Sequence, residues 1–268
     1  MTKMKFAKII LILIFMFSYY GCATDSEEIV KRPSGPYVPH IYLEQEAIVT
    51  YFEVNNINEY KKLIPSIFSM PERPLCRVRV IDYYKMESAP PYLESMIEIL
   101  VKYKKSQNGK EILAWHYLEV PVTTENALFG RFILGYPKVL RKVTFERYQN
   151  KYVGISYGRD GKTPTLKLIL ETRKAELAPD EKSFLGFISP IPSFTIKDGK
   201  VLKFAGSKYK IYELEKVAPN ISKIQFGDCA IEYPNDPQNY LYRLGIGKFI
   251  TGYWLKMKYR YSLKSTEE

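Results

Sequence analysis

The chain is poor in the residues from which most recognisable catalytic and structural centres are built. It has three cysteines, two histidines and two tryptophans among 268 residues. No CxxC pair occurs, and His40 and His116 are the only histidines. A cysteine–histidine zinc cluster is therefore excluded. With Cys22 set aside, Cys76 and Cys229 leave room for one bridge and not for a disulfide framework. Phosphate loops and dinucleotide fingerprints are absent. Gly154-Ile155-Ser156-Tyr157-Gly158 has the GxSxG spacing of a hydrolase elbow, but Ser156 lies in strand-like sequence and both histidines precede it. That elbow requires a strand-to-helix turn and a later histidine. Nothing here calls for a metal or an organic cofactor.

Long apolar runs are equally scarce. Ile9–Phe17, "IILILIFMF", follows Lys3, Lys5 and Lys8 and precedes "SYYGC", which ends at Cys22. The run is shorter than the roughly 20 apolar residues of a membrane span. A basic start, a short apolar core and a small residue before a cut describe a secretory signal over residues 1–21. The segment resembles a bacterial lipoprotein signal. That implies lipidation of Cys22, export to the cell envelope and a membrane anchor; plain secretion and an uncleaved anchor are the alternatives. Residues 22–40 are polar and proline-rich and read as a tether.

Acid is also in short supply, with 29 acidic against 40 basic residues and a net charge of +11. The plain reading of this balance is a solvated basic surface; for an exported chain, anionic headgroups or acidic small molecules are better candidate partners than nucleic acid.

What the sequence does have is strand-forming residues. Ile48–Phe52, Cys76–Ile81, Met96–Tyr103, Glu111–Tyr117, Tyr152–Tyr157 and Thr165–Leu170 are rich in β-branched and aromatic residues. Asn108-Gly109, Asp160-Gly161 and Asp198-Gly199 are hairpin signals, because these pairs tolerate the positive φ of tight turns. One helix is predicted from Asn56, with Glu59 three residues on and Pro65 as its stop. A second, weaker candidate lies near Asp236–Leu244. The final strand, "WLKMKYRYS", alternates strictly, with Lys256, Lys258 and Arg260 on one face and Leu255, Met257, Tyr259 and Tyr261 on the other. It reads as half-buried with a solvated basic face; a cationic lining for an acidic ligand is the sharper alternative. The fold class is mainly β with a few helices, in one domain over residues 41–262 followed by a short tail, 263–268. A closed barrel would dispose of the sheet edges.

The stretch Gly130–Leu140, "GRFILGYPKVL", resembles the acetoacetate decarboxylase family, whose members carry a Gly-Arg-Glu element and then an aromatic-Pro-Lys-Lys element. "NEYKKLIPSIF", "YLESM", "YVGISYG" and "ISKIQF…YPNDP" follow in the family's order. The resemblance implies an antiparallel, cone-like β-barrel enclosing a pocket, and lyase chemistry on a β-keto acid or related keto acid. In it, Lys138 forms a Schiff base, Glu94 is its acidic partner, and Arg131 and Tyr136 contact the substrate. It allows a homo-oligomer, although no stretch specifies an interface. A non-catalytic envelope protein binding a small acidic or carbonyl compound in the same barrel is the alternative.

This sequence departs from the family pattern in two places: Val139 replaces the second lysine, and Phe132 the glutamate after Gly-Arg. The alignment also sets Glu44 where the family has arginine and Arg79 where it has glutamate, as though a salt bridge had been swapped. A free lysine titrates near 10.4, so only about one in 2,500 is neutral at pH 7. The family itself is the standard example of a lysine activated by desolvation or by a neighbouring cation. Val139 removes the cation and adds to the desolvation.

Overall fold

Fourteen strands form one sheet in the computed structural model, which describes residues 41–86, 89–104, 111–128, 131, 135–173, 177–188, 191, 193–197, 200–204, 212–216 and 220–265. All of these lie within the compact unit Pro39–Glu268. The expected signal segment, Cys22, the tether, and the Asn108-Gly109 and Asp198-Gly199 turns fall outside the described residues. Among the described residues no helix is long and apolar enough to cross a membrane.

The strands are β1 (Ile41–Val54), β2 (Phe68–Ser69), β3 (Leu75–Met86), β4 (Tyr92–Lys104), β5 (Glu111–Val122), β6 (Lys138–Leu140), β7 (Val143–Arg147), β8 (Lys151–Tyr157), β9 (Pro164–Thr172), β10 (Ser193–Lys197), β11 (Lys200–Phe204), β12 (Tyr212–Lys216), β13 (Asn220–Glu232) and β14 (Ile246–Ser265). The described helices are α1 (Ile57–Leu63), α2 (Glu125–Leu128), α3 (Pro179–Ile188) and α4 (Tyr240–Leu244). All six expected strands are present. At Asp160-Gly161, Gly161 takes φ 65, but within a six-residue connection, 158–163, between β8 and β9 and not a two-residue turn. The Asn56 side chain caps α1 by accepting from the Glu59 N–H. Asn239 caps α4, so that helix starts later than Asp236. Helix α3 was not anticipated, although Pro179, Asp180 and Glu181 suit a first helical turn.

The main path of the sheet runs β11-β10-β5-β4-β3-β1-β14-β13-β9-β8-β7. Most neighbours are antiparallel, but β10 and β6 each run parallel to β5. The sheet therefore is mixed, and it curls as a half-barrel. β14 continues to Ser265 because β12 pairs with its last residues. Arg147 of β7 reaches back to Glu46 of β1 at 2.7 Å and to Asp82 of β3. The inside of the curl is filled by Ile48, Val78, Val80, Ile99, Leu168, Leu170 and Trp254, all buried together. Full burial of each such aliphatic side chain stabilises the fold by about 1.5–3 kcal/mol.

The opposite face of β1, β3, β4, β5 and β14 carries a second cluster, including Tyr51, Tyr83, Tyr92, Met96, Trp115 and Tyr117, with Phe184 and Ile188 of α3 packed on it. Strand alternation sorts the two sets. On β3, Cys76, Val78 and Val80 face the filled interior, whereas Leu75, Ile81 and Tyr83 face the other way. Cys76 and Cys229 are unbonded.

Two outcomes follow from this packing. A Cβ at Gly227 would lie 2.2 Å from the Glu171 carbonyl oxygen of the adjacent strand. Gly227→Ala is therefore expected to cost at least about 1–3 kcal/mol, read as a lowered midpoint in denaturant unfolding. Burial pushes the His116 imidazole down to about 4 from its ordinary 6.5. The unfolded chain then takes up a proton that the folded chain refuses. Stability is full above pH 6.5 and falls as the pH drops through the window down to about 4. Thermal midpoints measured across that window should show a shallower slope in His116→Asn.

Candidate active site

Lys138 is set in place by the three residues before it. Gly135 adopts φ 67, a conformation that favours glycine, and Pro137 fixes the next φ. The Lys138 N–H then donates to the Tyr136 carbonyl at 2.7 Å, closing a tight turn. β6 starts there and runs parallel to β5, with Lys138 opposite Val120.

This turn delivers the amine to a buried carboxylate. Lys138 Nζ lies 2.8 Å from Glu94 Oε2. Lys138 is 7% exposed and Glu94 2%. The approach lacks hydrogen-bond angles, since Oε2 has no hydrogen-bond partner among the described residues; the pairing at this geometry is Coulombic. The Tyr83 hydroxyl donates to Glu94 Oε1 at 3.4 Å. The rings of Tyr136 and Tyr92 stand 5.4 and 5.6 Å from Nζ, within range of a cation–π attraction. Tyr117 packs edge-on against Tyr136 at 4.9 Å.

A second charged group lies on the same face. Glu98 is two pleats from Glu94 on β4 and is fully buried. It accepts two hydrogen bonds from Arg77, at 2.7 and 2.6 Å, and two from Arg79, at 2.8 and 2.9 Å. The Arg77 guanidinium lies 4.5 Å from the centre of the Trp115 ring and also donates to Ser193 Oγ at 2.9 Å. Burial pushes the Glu98 carboxyl up, but the two guanidinium groups outweigh it and hold it below the usual carboxylate range. Burial raises the Tyr117 and Tyr253 phenols, so both stay neutral at physiological pH.

The expected site residues separate as follows. Lys138, Glu94 and Tyr136 come together. The Arg131 side chain is exposed. Phe132 lies outside the described residues. The expected swap between Glu44 and Arg79 is corrected by the contacts. Arg79 pairs with Glu98, whereas Glu44 accepts from Tyr84 at 2.6 Å and sits among Lys85, Lys256 and Lys258. Lys256 and Lys258 therefore form a solvated face beside Glu44 and do not line the Lys138 site; the side chain of Arg260 is outside the description. A cleft lined by Arg73, Lys102, Glu111 and Phe187 also lies elsewhere and contains none of the expected site residues.

Arg77 and Glu98 were missed. The signal that could have found them is charge kept on one face of otherwise apolar strands, two residues apart in "RVRV" on β3 and four apart in "ESMIE" on β4.

Removing one member of a buried ion pair strands the other. Lys138→Met should lower stability by about 3–5 kcal/mol. Adding Glu94→Gln should restore most of that loss, and a double-mutant cycle in urea would read the coupling.

The sequence matches the family model described as acetoacetate decarboxylase (ADC) over residues 28–267. No curated protein sequence matches. Solved structures share the fold. The acetoacetate decarboxylase of Legionella pneumophila is 15% identical, with a TM-score of 0.62 over 88% of this chain and 93% of that one. The enduracididine biosynthesis enzyme MppR, in complex with pyruvate, is 9% identical, with a TM-score of 0.60 over 88% and 93%. An acetoacetate decarboxylase-like enzyme from Sphingomonas wittichii RW1 is 13% identical, with a TM-score of 0.58 over 84% and 92%. With the family model covering most of its length, the chain belongs to the acetoacetate decarboxylase family.

Proposed function

We propose that this protein is a lyase-type enzyme in which Lys138 forms an imine with a keto acid. The observation that carries the reading is the buried Lys138–Glu94 pair, with Nζ and carboxylate oxygen 2.8 Å apart between tyrosine rings. An amine must be unprotonated to attack a carbonyl, and Glu94 is within reach to take its proton. Attack gives a carbinolamine. Loss of its hydroxyl as water, with a proton from the Glu94 carboxyl, leaves the iminium. In a β-keto acid the bond to the carboxylate then breaks; its electron pair enters the iminium, carbon dioxide leaves, and an enamine remains. Protonation on carbon and hydrolysis release the ketone and restore Lys138. The aromatic walls and the low exposure of Lys138 limit the water that would compete.

The reading extends to location. A signal over residues 1–21 and a lipidated Cys22 would place the domain at the cell envelope on a tether, where it would meet keto acids outside the cytoplasm.

The experiment is reductive trapping. The purified full chain is incubated with a panel of keto acids and borohydride, and peptide mass spectrometry locates the adduct. An adduct on Lys138 is expected, with none in Lys138→Ala. A folded protein that yields no adduct with any compound, yet is thermally stabilised by one, is a carrier rather than an enzyme.

A further inference from the structure

The formal charges on this face do not cancel. Lys138 is matched by Glu94, but Arg77 and Arg79 share the single carboxylate of Glu98. One positive charge is left over beneath an aromatic cluster, and a buried uncompensated charge is costly. Each guanidinium spends Nε and Nη2 on Glu98 or Ser193, and Nη1 of each has no hydrogen-bond partner among the described residues. The Arg79 side chain keeps 19% exposure, so it is not sealed. The indole N–H of Trp115, whose ring carries Arg77, is a buried donor with no partner among the described residues. Gln45 Oε1, on the same face of β1 as Ala47, is also buried and unpaired.

The cluster adjoins the amine. In the β3–β4 register Glu94 is opposite Ile81, and Arg79, two residues back, is its diagonal neighbour, at a separation of about 7–8 Å. Tyr83 links the two directly: its hydroxyl bonds Glu94, and its phenol lies in the electrostatic field of Arg79. Tyr117 does the same from β5, near Arg79 and against Tyr136.

From this juxtaposition we infer that Arg77 and Arg79 form an anion subsite of the Lys138 site. The substrate carries an acidic group that stays on the arginines while its carbonyl reacts. This rests on the imine reading for its chemistry, but the binding site itself does not. A carboxylate held by two guanidinium groups is stabilised as an anion and is a poor leaving group. Any carbon dioxide released must therefore come from a second carboxylate, which favours keto dicarboxylates; otherwise the carboxylate is retained throughout.

Calorimetry on the full chain with butyrate and its neutral isostere butyramide tests the subsite without any imine. Butyrate is expected to bind at least about tenfold more tightly. Arg79→Gln should abolish that preference, and Arg79→Lys should keep much of it. Arg79→Gln leaves the Arg77–Glu98 pair intact and removes the surplus charge, so its thermal midpoint should hold or rise; a merely structural arginine would lower it. Equal binding of the two probes, or a preference untouched by Arg79→Gln, overturns the inference. Borohydride trapping with 3-oxoglutarate, pyruvate and acetone supplies the second arm. Lys138 adducts should keep a carboxylate, with acetone labelling at least about tenfold less. An Arg79-dependent butyrate preference without any adduct would keep the subsite and sink the imine reading. Adducts forming equally with acetone, with no butyrate preference, would do the reverse.

Discussion

Five charged side chains clustered on one face of a sheet, four of them buried, set the main constraint on this protein. Lys138, Glu94, Arg77 and Glu98 are buried, and Arg79 is mostly so, among tyrosines, a tryptophan and apolar residues that cannot solvate them. Such groups are tolerated only when paired at close range. The pairs form only if β3, β4 and β6 hold their mutual register. A slip of one residue between β3 and β4 would turn the arginines or Glu98 into the filled interior, where Val78 and Val80 now sit. The site thus specifies the sheet as much as the sheet specifies the site.

The two faces divide the work. The inside of the curl holds a close-packed apolar core. It supplies stability and fixes the spacing of the strands. The opposite face holds the reactive groups, with α3 laid over part of it through Phe184, which packs edge-on against Tyr51 at 5.5 Å. Arg173 anchors the start of that helix by pairing with Glu181, which also caps the Ala178 N–H at 3.0 Å. Lys138 comes from neither face of a long strand. It enters on β6, a three-residue strand that pairs parallel with β5.

Much of this was legible in the chain itself. Period-two patterning gave the strands, and Asn56 with Glu59 gave α1. The run from Tyr136 to Lys138 gave the amine, because a proline before a lysine in apolar surroundings is a local arrangement. Glu94 was named from "YLESM", but its burial was not deducible there. Helix α3 was missed because its sequence mixes charged and apolar residues without a strong stripe.

The sequence alone determined which residues alternate, which turns are tight, and that the chain is basic and strand-rich; these depend on neighbours within a few residues. It could not say which carboxylate answers which cation. Glu98 is 21 residues from Arg77, and Lys138 is 44 from Glu94. Five acids on β1 and β4 (Glu44, Glu46, Glu53, Glu94 and Glu98) were equally plausible partners by type. The registers of β3 on β4, β4 on β5 and β5 on β6 chose between them, because they alone bring side chains distant in sequence within an ion-pair distance and remove the water that would otherwise have served each charge equally well.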